Sequence, residues 1–133
     1  QCLYNIMLLP VKNYTARGFL WYQGESNLFN YQIYAPMMTA MVQLWRNVWE
    51  APDMPFYYVQ IAPHKYGNSR NINSALLQEA QMKALQTIPN SGMIPTIDVG
   101  DEFCIHPPQK NVVGLRLANL ALTKTYGLHL PDR

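Results

Sequence analysis

The chain is 133 residues long, a length for one domain rather than two. Apolar residues make up 49% and charged residues 14%, enough for a real core and too few charges for a disordered tail or a solvated coiled coil. Ten Lys and Arg against eight Asp and Glu give +2 with no run of like charge, and no stretch approaches the roughly 18 unbroken apolar residues of a membrane span, so neither nucleic acid nor a membrane is expected as a partner.

The chain opens on Gln1-Cys2-Leu3-Tyr4 with no initiator methionine or targeting segment, and a segment of a longer protein is the expectation. Residues 1 to 16 are ambiguous: Leu3, Tyr4, Met7 and Leu8 suit a helix, whereas Leu8-Leu9-Pro10-Val11 suits an edge strand. Gly18 to Gln23 reads as a short, mostly apolar strand ending at Gly24. Leu28 to Glu50 carries Tyr31, Tyr34, Met38, Met41, Trp45 and Val48 at three- and four-residue spacing, one apolar face of a helix. Pro36 either starts or kinks it. Met54 to Ala62 is aromatic and β-branched and closes at Pro63, a second strand. Residues 64 to 72 have loop composition, with Gly67, Asn68, Ser69 and Arg70. Helical spacing returns over Ala75 to Ile88 and is stopped by Pro89-Asn90-Ser91-Gly92. Met93 to Val99 is the third strand, with a loop from Gly100 to His106. Pro107 and Pro108 suit the first turn of a last helix, with Val113, Leu117, Leu120 and Ala121 on its apolar side and Gly127 as its stop.

Strand and helix alternate three times, and the strands are near-continuous apolar runs. That pattern predicts an α/β three-layer sandwich with a parallel sheet covered by helices on both faces. Functional groups in such folds gather at the carboxyl ends of the strands. Here those ends are Gln23 to Asn27, Pro63 to Arg70 and Asp98 to His106.

The first end, Trp21-Tyr-Gln-Gly-Glu-Ser-Asn27, packs two amides, a glycine, a carboxylate and a hydroxyl into one strand-to-helix turn. Glycine lets backbone approach a ligand closely, and side-chain amides can donate to a developing oxyanion. The plainer reading is a helix cap by Ser26 or Asn27 with Glu25 in the first turn. The third end, Asp98-Val-Gly-Asp-Glu-Phe-Cys-Ile-His-Pro107, sets three acids and a histidine on one loop. An acid beside a histidine fixes its tautomer for base catalysis; the plainer reading is a histidine bonded to backbone.

A metal site from Asp98, Asp101, Glu102 and His106 is a weak alternative, because hard-ion sites need more converging oxygens. The two cysteines, Cys2 and Cys104, exclude a disulfide scaffold. Phe103 and Ile105 flank Cys104 and predict a buried, inert thiol rather than a nucleophile. His64 and His129 read as surface histidines, and Asn13-Tyr14-Thr15 is a formal glycosylation acceptor.

Taken together, Gly18-Phe-Leu-Trp-Tyr-Gln-Gly-Glu-Ser-Asn27, Leu44-Trp-Arg46, Gln78-Glu-Ala-Gln81, Ile97-Asp-Val-Gly-Asp101, Ile105-His-Pro107 with Lys110, and Val113-Gly-Leu-Arg-Leu-Ala118 resemble the sialate O-acetylesterases of the SGNH (GDSL-like) hydrolases. The resemblance runs from about residue 3 to residue 127. It implies an SGNH-type, flavodoxin-like sheet and serine-ester chemistry without a cofactor or metal, removing acetyl groups from O-acetylated sialic acid or a related sugar. It also implies a secreted, periplasmic or lysosomal setting.

By the same resemblance His106 falls on the catalytic histidine, and Gln23 and Gly24 fall on the block of oxyanion donors, with Asn27 a second candidate. Asn5 is not carried over as a site residue, because its neighbour Ile6 stands where relatives often have glycine. Two departures follow. Phe103 and Cys104 occupy the positions where relatives place the triad aspartate, leaving Asp101 and then Glu102 as candidate acids, or a backbone carbonyl in their place. The family's Gly-Gln-Ser-Asn-type nucleophile run is absent, and Ser26, Ser69, Ser74 and Ser91 lie in other segments. Three strands replace the usual five or so. Residues 1–133 are therefore expected to be the C-terminal part of a single esterase domain lacking its N-terminal strands, with the serine upstream. The alternative is a non-catalytic carbohydrate-binding or interaction module on the same scaffold.

Overall fold

The computed structural model describes residues 3–67 and 72–128. Readings that fall on Cys2, Asn68, Ser69, Arg70 and His129 lie outside the described residues. The elements are β1 (Phe19–Trp21), α1 (Tyr31–Val48), β2 (Phe56–Val59), α2 (Asn73–Thr87), β3 (Ser91–Ile94) and α3 (Lys110–Lys124). The strands form one parallel sheet in the order β1-β2-β3, with Phe19 opposite Phe56 and Phe56 opposite Ser91. No helix among the described residues is long and apolar enough to cross a membrane.

Two crossovers stepping the same way across the sheet place α1 and α2 on one face, as right-handed connections require. Between them and the sheet lie Tyr34, Met38 and Val42 of α1, Phe56 and Tyr58 of β2, and Leu77, Ala80 and Ala84 of α2. Alternation sends Tyr57 and Val59 to the opposite face, where they meet Val113 and Leu117 of α3. All four residues of β2 are buried, which explains why that strand reads as an unbroken apolar run. Each such side chain contributes about 1.5–3 kcal/mol of burial, so β2 is the seam of the molecule. An aromatic row reinforces the α1 side: Phe19 lies 5.1 Å from Trp45 and 5.2 Å from Trp49, and Trp21 meets Trp45 edge-on at 5.4 Å.

At the starting ends of the strands the brace is charged. Arg46 is only 4% exposed; its Nε donates to Met54 O at 3.0 Å and a terminal nitrogen donates to Pro89 O at 2.6 Å. One guanidinium thus ties the segments that enter β2 and β3 to α1. Burial lowers its pKa, and Asp53 partly offsets that.

The structure moves several sequence boundaries. β3 starts at Ser91 and ends at Ile94 rather than running from Met93 to Val99. Gly92 is a strand residue because its missing side chain makes room: a Cβ there would sit 3.0 Å from Leu120 and 3.1 Å from Tyr57. Beyond Ile94, Pro95 has no N–H to extend the ladder, and Thr96 turns inward to donate to Gln60 O at 2.6 Å. α3 begins at Lys110, after both prolines, because a tight turn from Lys110 N–H to Pro108 O at 2.8 Å separates them from the helix. α1 starts at Tyr31 and carries Pro36 inside it, so the proline does not begin the helix. The ambiguous opening is helical: a π turn over Tyr4–Leu8 and a 3₁₀ turn over Leu9–Val11, with no edge strand there. The Trp49 indole N–H, donating to Tyr14 O at 3.1 Å, fastens the following segment to the end of α1.

Candidate active site

The carboxyl ends of β1 and β2 are joined by neutral amides. Gln81, on α2, is fully buried. Its Oε1 accepts from Ile61 N–H at 2.9 Å, while its Nε2 donates to Val59 O at 3.3 Å and Gln23 O at 3.4 Å. One turn earlier on the same helix face, Gln78 Nε2 donates to Ile61 O at 2.9 Å, and Gln60 Nε2 donates to Gln78 O at 3.2 Å. The Tyr58 hydroxyl donates to Gln81 O at 2.6 Å. Satisfying these backbone groups, those of Val59 and Ile61 in buried residues, holds the strand ends in one position.

Gly24 follows from the same closeness. A Cβ on it would lie 2.5 Å from Ile61 Cγ2 and 3.1 Å from Gln81 Nε2, so the turn after β1 fits only without a side chain. Gly24 heads a 3₁₀ turn over Glu25–Asn30 with no side-chain cap, so the Ser26 or Asn27 cap is not formed, although Glu25 does occupy the first turn. Asn27 instead accepts, through Oδ1, from Gln23 Nε2 at 2.6 Å. That bond uses one of the two Gln23 amide hydrogens and turns the Asn27 amide nitrogen to its far side. Both amides border a half-open groove of about 290 Å³ whose remaining wall is Trp21, Tyr34 and three methionines of α1.

The loop after β3 is built differently. Asp101 accepts, through one carboxylate oxygen, from the N–H of Phe103 at 2.8 Å and of Cys104 at 2.9 Å. The tight turn this makes throws Phe103 outward, 83% exposed. Cys104 is exposed as well, which corrects the expectation of a buried thiol: the turn, not the apolar neighbours, decides its place. Its Sγ–H donates to His106 O at 3.2 Å. His106 is exposed, and its ring has no hydrogen bond to Asp101, Gln23 or Asn27 among the described residues.

The acids of this loop point apart. Asp98 is held in a two-pronged pair by Arg116, with one bond at 2.7 Å, which keeps its carboxyl below the usual range. Glu102 pairs with Lys65 at 3.0 Å. The weak metal alternative is therefore not assembled; among the described residues no three His, Cys, Asp or Glu side chains converge.

His64 is partly buried, and its Nδ1 lies 3.1 Å from Asp101 O, with the ring edge-on to Tyr66 at 4.8 Å. Gly100 permits this contact between loops, since a Cβ there would lie 2.5 Å from Pro63 O. The His106 segment reaches the β1 turn through Lys110, whose ammonium stands 4.6 Å over the Tyr22 ring. Burial, then Glu25, raises the Tyr22 pKa.

Reasoning from sequence singled out Gln23, Gly24, Asn27, Asp101 and His106. It gave no role to Tyr34 or Gln81, the residues that hold Gln23. Tyr34 was legible only as a core position, and Gln81 only as part of the Gln78–Gln81 run.

A parallel α/β sheet with its polar side chains collected past the strand ends is the layout of open-sheet α/β proteins that bind ligands at that edge. The chain belongs to the carbohydrate esterase family of sialic acid-specific acetylesterases, whose family model matches residues 1–123. It is 30% identical to the sialate O-acetylesterase of Rattus norvegicus and 29% identical to that of Homo sapiens, each over 94% of this chain. A crystal structure of a carbohydrate acetylesterase from Xanthomonas citri superposes with a TM-score of 0.89 at 37% identity, over 96% of this chain. The chain spans 26% and 27% of those two mammalian relatives and 30% of the bacterial one.

Proposed function

We propose that residues 1–133 are the C-terminal part of a single carbohydrate O-acetylesterase domain that hydrolyses acetyl esters of sialic acid or a related sugar. The observation that carries this reading is the Gln23–Asn27 amide pair, fixed at a strand end with N–H groups left over beside a groove. In this reading a serine from outside these residues attacks the acetyl carbonyl, and His106 takes its proton. Gln23, Asn27 and the Gly24 backbone donate to the oxygen that becomes negative. Collapse expels the sugar hydroxyl with the proton returned by His106, and water then releases acetate by the same route. Asp101 shapes the loop that carries the imidazole, since its carboxylate is already engaged with Phe103 and Cys104. Ser91 is not that serine in this reading, because it sits at the starting end of β3 and bonds to Ile88 O.

The test uses the full-length protein with p-nitrophenyl acetate and an O-acetylated sialic acid. His106→Ala should lower turnover by about 10³-fold or more, because the serine loses its base. Activity within about tenfold of the parent removes His106 from that role. A parent protein that binds the sugar but hydrolyses neither ester is a carbohydrate-binding module instead.

A further inference from the structure

Lys65 and Arg116 stand on the segments that follow β2 and β3, and each is neutralised: Lys65 pairs with Glu102 at 3.0 Å, and Arg116 grips Asp98. Lys110 is not. Its ammonium stands 4.6 Å over the Tyr22 ring, and among the described residues its Nζ has no hydrogen bond and no ion pair, with Glu25 or any other acid. Burial, then Glu25, raises the Tyr22 pKa, so the phenol beneath stays neutral and cancels none of the charge. An aromatic face fixes an ammonium in place yet leaves it N–H donors, since a lysine carries three.

The stability of α3 does not account for this lysine. Lys110 is the first residue of the helix, where the helix dipole disfavours a cation, and the first turn holds no acid to offset it. Tyr22 packs on the α3 side of the sheet, whereas Gln23 and Asn27 border the groove on the α1 side. The ammonium and the amide pair therefore flank one turn without facing the same atom. A ligand whose acetyl carbonyl meets the amides can reach the ammonium only with another group, and a full charge with several N–H donors suits a carboxylate.

We propose that Lys110 is a substrate-binding residue whose ammonium takes the carboxylate of an acidic sugar, so that an O-acetylated sialic acid is preferred to an uncharged acetylated sugar. The preference in hydrolysis rests on the esterase reading; the binding of the acid does not.

The experiment uses the full-length protein and two forms of one substrate, an O-acetylated sialic acid and the same compound with its carboxylate converted to the primary amide. The parent should show a KM about fivefold lower for the acid, the upper range of an exposed ion pair. Lys110→Met should bring the two KM values within about twofold by raising that of the acid. A parent without the preference overturns the proposal. So does a variant that keeps it, and a loss shared equally by both forms is that case, the mark of a merely structural part. Calorimetric titration with sialic acid and its primary amide, neither carrying an O-acetyl group, supplies a readout without catalysis. The parent should bind the acid about fivefold more tightly, and Lys110→Met should abolish the difference; equal binding by the parent overturns the proposal. A parent that hydrolyses neither form sinks the esterase reading alone, and the titration still decides whether Lys110 takes the carboxylate.

Discussion

Replacing Gln81 by leucine tests whether the buried amide is what joins the ends of β1 and β2. Leucine nearly matches glutamine in volume, so the change removes hydrogen bonds with little cavity. The Ile61 N–H, now bonded at 2.9 Å, would be stranded in a site with no solvent contact, at about 1–3 kcal/mol. Val59 O loses its 3.3 Å contact, a further ~1 kcal/mol, whereas Gln23 O keeps the Tyr34 hydroxyl at 2.9 Å and loses little. The expected destabilisation is therefore about 2–4 kcal/mol. Urea unfolding should show it as a lower midpoint at unchanged slope. A loss below about 0.5 kcal/mol would refute the assignment, since that is the range of ordinary surface substitutions.

Gln81→Glu sharpens the test through pH. A buried carboxyl among backbone carbonyls has a folded pKa above its unfolded value of about 4.3. The folded state then holds the proton more tightly, so the variant's deficit is smallest below the unfolded pKa. It grows as pH rises and is complete above the folded pKa. A deficit that shrinks with rising pH would contradict this placement of the side chain.

Three further outcomes are expected. Gln23→Ala should lower acetyl-ester turnover by about 10²–10³-fold with KM little changed, and a variant with normal turnover but a lower melting temperature would show that Gln23 only holds the turn. Asp101→Asn should cost far less activity than His106→Ala, because an asparagine oxygen can still accept from the N–H groups of Phe103 and Cys104; equal losses in steady-state kinetics would make the carboxylate the partner of the imidazole. Gly24→Ala should destabilise by about 1–3 kcal/mol in thermal unfolding, since its Cβ would meet Ile61 at 2.5 Å, and a neutral result would mean that the turn yields freely.

The parallel order was legible because Phe56 to Val59 are buried on both faces, which leaves an apolar run without alternation. The start of β3 was not legible, because Ser91 and Gly92 have turn composition. Only the approach of Leu120 and Tyr57 explains a glycine inside that strand. Arg46 was legible only as part of the Leu44–Arg46 run, because its acceptors are the carbonyls of Met54 and Pro89, groups that every residue carries. Gln81 was obscure for the same reason, as its side-chain bonds all run to main chain. The amides of the candidate site were readable from their place past a strand. The surroundings of Cys104 were not, because the Asp101 turn overrides the apolar character of its neighbours.

The two ends of the sheet are fastened with different chemistry. A guanidinium serves where the strands begin, and carboxamides serve where they end. Carboxamides neither gain nor lose protons over any pH at which a protein survives, and they carry no net charge. The fastening therefore adds no ionisable group of its own to the neighbourhood of the β1 turn. A guanidinium in the place of Gln81 would have biased every nearby titration and attracted anions into the sheet. With amides there, the cross-links themselves are electrically silent.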